Sequence, residues 1–111
     1  MSCECTTLKV LKVEADVGAD PLWCKTCGCN LECSEFKLST SLAKELREWA
    51  ELYGKWIDWN TDTLIPNGIE MEDDHNEAGI RLAEKLKREV FGSYTVTLIP
   101  SSMARMYANK K

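Results

Sequence analysis

Two stretches of helical period, each with an alternating stretch outside it, constrain this chain more than any other feature. Leu42, Leu46, Trp49, Tyr53 and Trp56 recur at spacings of four and three, which draws one apolar stripe along a helix. Gly79, Leu82, Ala83, Leu86 and Val90 draw a second. Before the first, "LKVLKVEADV" sets Leu11, Val13, Ala15 and Val17 against Lys12, Glu14 and Asp16, the period of a half-buried strand. After the second, "SYTVTLIP" turns Tyr94, Val96 and Leu98 inward until Pro100 ends it. Both stripes and the apolar strand faces must be buried together. The expectation is a two-layer α+β domain, with a small, mainly antiparallel sheet, two amphipathic helices on one face and an N-terminal Cys-rich loop.

At 111 residues the chain is expected to be a single domain. Its parts are strand plus Cys-rich loop (1–37), helix–helix–strand (38–100) and a tail (101–111). Ser39 or Ser41 can cap the first helix, with Leu38 as a staple, and the stripe carries that helix to near Trp56. "DWNTDTLIPNG" reads as a loop. The second helix is expected to open on Glu72, Asp73 and Asp74, carboxylates that suit the positive end of its dipole. Gly79 costs about 1 kcal/mol of helix propensity relative to alanine and is read as allowing close approach of another backbone. Two long strands make a marginal sheet, so short strands in the cysteine loop or in "TLIPNGIEM" are expected to extend it. Met103, Met106 and Tyr107 give the tail enough helical spacing to dock as one turn or fray.

All six cysteines fall in the first third of the chain. Cys24 and Cys27 form a "CKTC" knuckle, the arrangement by which two thiolates reach one tetrahedral zinc ion without strain. Cys3 and Cys5, or else Cys29 and Cys33, would complete a structural site. The mixed set built on Cys24 and Cys27 is preferred. Reduced thiols without metal, disulfides and a redox "CxxC" are the alternatives. The last is disfavoured because about twelve residues separate Cys27 from the first expected helix, whereas redox motifs sit at a helix N-terminus.

A net charge of −4 disfavours broad phosphate binding, and Cys24–Cys33 holds only Lys25 as a cation, balanced by Glu32. No apolar run is long enough to span a bilayer. "MSCECTTLKV" lacks the basic and apolar regions of a signal peptide, so a cytoplasmic location is expected. No Ser-His-Asp set, Gly-rich phosphate loop or "HExxH" is present. His75 reads as a polar surface group in a charged helix start, and Trp23 and Trp59 as core rim or exposed anchors. The leading expectation is a non-enzymatic binding or regulatory protein that recognises a protein partner, as an immunity or antitoxin-like protein does. Its contact surface would be Glu70, Glu72, Asp73, Asp74 and Glu77. The alternatives are a zinc-ribbon nucleic-acid-binding protein and a thiol oxidoreductase using Cys24 and Cys27.

"PLW" at Pro21–Trp23, "GCNLE" at Gly28–Glu32, "LSTSL…LREWAELYGKWIDW" from Leu38 and "GIRLAEKLKREVFGSYTV" from Gly79 resemble a group of small uncharacterised bacterial proteins. The outline they share is an early strand, a loop, a helix with a "W…Y" step and a "G..LA..L..E" helix leading to a last strand. The resemblance supports that fold and implies no particular activity. Cys24, Cys27, Cys29 and Cys33 depart from the outline, so zinc rests on spacing.

Overall fold

The computed structural model describes residues 9–16 and 18–109. Strands β1 (Val10–Val13), β2 (Leu22–Cys24) and β3 (Asn30–Leu31) lead through a single 3-10 turn, Cys33–Glu35, to helix α1 (Thr40–Glu51). A small hairpin, β4 (Ile57–Asp58) and β5 (Thr63–Leu64), precedes the long helix α2 (Gly68–Glu89). Strand β6 (Thr95–Leu98) and a short helix α3 (Met103–Ala108) follow. The main sheet runs β3-β2-β1-β6. Strand β1 pairs antiparallel with β2 and parallel with β6, and β2 pairs antiparallel with β3. The α+β class and the mainly antiparallel sheet are as expected. The helices between β1 and β6 supply the long connection that parallel neighbours require.

Register puts the buried residues on one face. Leu11 lies opposite both Cys24 and Val96, Val13 opposite Leu22, and Leu22 opposite Leu31. These side chains pack with Leu42, Leu46 and Trp49 of α1 and Leu82, Ala83 and Leu86 of α2 in one core cluster. Ser39 caps α1, its hydroxyl accepting from the Leu42 N–H at 3.2 Å.

Helix α1 departs from expectation at its end. It stops at Glu51, and the chain turns through Gly54 at a φ of 85°, a conformation that favours glycine. Tyr53 and Trp56 therefore continue the stripe from a turn rather than from a helix. Trp56 nucleates a second cluster with Ile57 and Ala104, which anchors the tail as α3. Helix α2 also begins a turn earlier than expected, so Glu70 is its first-turn acid and Glu72 to Asp74 follow it. Short strands do form in both expected places, but β5 pairs with β4 in a separate two-stranded ribbon instead of extending the main sheet.

Candidate protein-binding surface

Helix α2 carries carboxylates on two faces with different fates. Glu70, Asp73, Asp74 and Glu77 are exposed and, at spacings of three and four, sit on neighbouring turns. Asp73 pairs with Arg105 at 3.1 Å. Glu70, Asp74 and Glu77 make no ion pair among the described residues. Glu72 is withdrawn from this set, because its side chain is fully buried. It accepts from the Ser101 hydroxyl at 2.7 Å, from the Ala104 N–H at 2.8 Å and from Arg105 Nη1 at 3.3 Å. A buried carboxylate satisfied in this way ties α3 to α2 and is not a contact residue.

His75 also corrects the surface reading, being only 5% exposed. Its ring stacks on Trp49 with centroids 4.4 Å apart and planes 7° from parallel. The two residues exchange hydrogen bonds: Trp49 Nε1–H donates to the His75 carbonyl at 2.8 Å, and His75 Nε2–H donates to the Trp49 carbonyl at 2.9 Å. Trp56 meets the imidazole edge to face at 5.2 Å. Burial holds the His75 pKa below its ordinary value, with the Trp49 carbonyl and the Glu72 charge opposing that effect. His75 Nδ1 and Trp56 Nε1 are buried with no hydrogen-bond partner among the described residues. The signal for both buried polar residues was present in the stripe itself. Followed back from Gly79 by four and then three, it reaches His75 and Glu72. Gly79 admits the Trp49 side chain, not a backbone; a Cβ there would lie 2.8 Å from Trp49 Cζ2.

The cysteine loop is folded tightly. Cys24 N–H donates to the Cys29 carbonyl at 2.9 Å, and Gly28 N–H to the Cys24 carbonyl at 2.8 Å. Cys24 and Cys33 are buried, Cys29 is half-buried and Cys27 is exposed. Burial first, and then the Asp20 carboxylate, push the Cys33 pKa up to about 11, which favours the thiol over the thiolate. Among the described residues no group of three or more His, Cys, Asp or Glu side chains is arranged to hold a metal ion. Cys3 and Cys5 lie outside the described residues, and with them the second half of the preferred zinc set.

Trp23 is half-buried, its indole N–H donating to the Glu14 carbonyl at 2.8 Å. Trp59 is 57% exposed. No described helix is long and apolar enough to cross a membrane.

A small sheet backed by two helices places the molecule among small two-layer α+β proteins. The comparison with protein families is specific: residues 9–101 match the family described as Serratia CdiI immunity protein-like. The chain belongs to that family. No curated protein matches the sequence.

Proposed function

We propose that this protein is an immunity protein that binds and neutralises a protein toxin, using the exposed carboxylates Glu70, Asp73, Asp74 and Glu77 of α2 as its contact surface. Family membership over residues 9–101 is the observation that carries the reading. The three unpaired carboxylates and the net charge of −4 add a preference for a basic partner surface, and such charges act chiefly on the rate of association. Affinity capture from native lysate at low and moderate salt, followed by expression of the captured protein alone and with this chain, tests it. The expected result is a growth-inhibitory protein neutralised by co-expression. Capture of nothing at either salt, or of a protein whose toxicity co-expression leaves unchanged, overturns the reading.

A structural zinc ion held by Cys24 and Cys27 with Cys3 and Cys5 is proposed separately. It is supported by the knuckle spacing and the tight Cys24–Cys29 turn. Elemental analysis of protein purified without added metal tests it, with one zinc per chain expected and sub-stoichiometric metal refuting it. Action in the cytoplasm belongs to the same proposal, and cell fractionation decides it.

A further inference from the structure

Of the four tryptophans, Trp59 alone stays mostly in solvent, and yet it is held in place. Its indole N–H donates to the Gly54 carbonyl at 3.1 Å. The ring lies so close over Gly54 that a Cβ there would stand 3.2 Å from Trp59 Cζ2. Tyr107 of α3 meets the ring edge to face at 6.4 Å and donates its hydroxyl to Asp62 at 2.6 Å. The loop that carries the ring is fixed as well, because Asp58 Oδ1 accepts from the Asn60 N–H at 3.0 Å and from the Thr61 N–H at 3.4 Å. An aromatic surface fixed before binding loses little freedom when a partner covers it.

Helix α3 joins this ring to the acidic face of α2. At about 100° per residue, Arg105 and Tyr107 lie on opposite flanks of α3, with Met106 between them. Arg105 pairs with Asp73 of α2 at 3.1 Å, Tyr107 meets Trp59, and Met106 between them is 67% exposed. Asp73, Met106 and Trp59 therefore border one outer surface. We infer that Trp59 is the aromatic anchor of that surface, against whose exposed ring the toxin lays a cationic side chain, arginine or lysine. The indole N–H is already engaged by Gly54, so the ring itself is what a partner meets. Indole has the strongest attraction for cations among the aromatic side chains. Asp58, next to Trp59 in the chain, is exposed and makes no ion pair among the described residues, and the chain carries a net charge of −4. Both favour a cation over a neutral apolar group. The inference rests on the immunity reading for the identity of the partner.

The test measures association and dissociation rates between the full chain and the growth-inhibitory protein captured from lysate, for the parent, Trp59→Phe and Trp59→Leu. Both variants lose the hydrogen bond to the Gly54 carbonyl, so any structural cost of that loss is common to the two. They differ in the ring: phenylalanine keeps an aromatic face, whereas leucine offers apolar bulk without one. Trp59→Leu is expected to dissociate about tenfold faster than the parent, the loss of one desolvated cation–ring contact, and Trp59→Phe to fall between them. Association rates are expected to stay near the parent value, because an anchor acts after encounter whereas the α2 carboxylates steer it. Equal dissociation from the Phe and Leu variants overturns the cationic occupant, and dissociation of both at the parent rate overturns the anchor altogether. Either result leaves toxin binding through α2 intact. Capture of no protein removes this inference together with the immunity reading on which it rests.

Discussion

Replacing Gly79 by alanine sets two effects of opposite sign against each other. In a helix interior the change should stabilise by about 1 kcal/mol, since glycine loses more backbone freedom on folding. Against this, the new Cβ would stand 2.8 Å from Trp49 Cζ2, 3.3 Å from its Cε2 and 3.4 Å from Leu98 Cδ1. Leu98 is only half-buried and can yield. Trp49 cannot easily yield, because its ring is stacked at 4.4 Å on His75 and its N–H is fixed to the His75 carbonyl at 2.8 Å. Moving the indole forfeits roughly 1 kcal/mol of hydrogen bond and a similar amount of ring contact, with some overpacking strain added. The losses exceed the propensity gain, so Gly79→Ala is expected to destabilise by about 1–2 kcal/mol. Urea unfolding followed by tryptophan fluorescence measures this as a lower midpoint with an unchanged slope. A variant more stable than the parent by the propensity gain would show that the Trp49–His75 pair is not rigid.

Glu72→Gln is expected to lose about 2 kcal/mol as the Ser101 and Ala104 hydrogen bonds change from charged to neutral, which lowers the melting temperature by roughly 8 °C. Limited proteolysis should then cut first near α3, and cleavage unchanged from the parent would contradict the tie between α2 and α3. His75 has a folded-state pKa below its unfolded value near 6.5, so the unfolded chain binds the extra proton. Stability should therefore fall as pH drops below about 6.5, by at most about 1.4 kcal/mol per pH unit, and His75→Phe should remove that part of the slope. Parallel slopes in the two proteins would refute it. Cys33, held as a thiol by burial, should resist iodoacetamide at pH 8 in the native protein and react after denaturation; peptide mapping reads this directly.

The parts of the fold legible in the sequence were those written in apolar residues. Alternation located β1 and β6, and the two stripes located α1 and α2, because burial of those side chains dominates local preference. Strands of two or three residues leave too short a pattern to bound, so β2 and β3, expected only as short strands somewhere in the cysteine loop, took their limits from the pairing of β2 with β1 and of β3 with β2. The parallel placement of β6 depends on the crossover through both helices and has no local signature. Gly54 ended α1 where the stripe alone continued to Trp56.

Glu72 and His75 were misplaced for a different reason. Polar residues at stripe positions look like surface until their partners are known. The Trp49 carbonyl lies 26 positions before His75, and the Ala104 N–H lies 32 positions after Glu72. Glu70, Asp73, Asp74 and Glu77 are exposed, and of the four only Asp73 makes an ion pair among the described residues, with Arg105.

The proposal that the outer face of α2 binds a toxin is tested most directly by hydrogen exchange on the complex with the captured partner. The account predicts slowed amide exchange in α2 around Glu70–Glu77, and a triple Glu70→Lys, Asp74→Lys, Glu77→Lys variant that associates far more slowly while folding normally. Protection confined to the cysteine loop, with association of the triple variant unchanged, would contradict it.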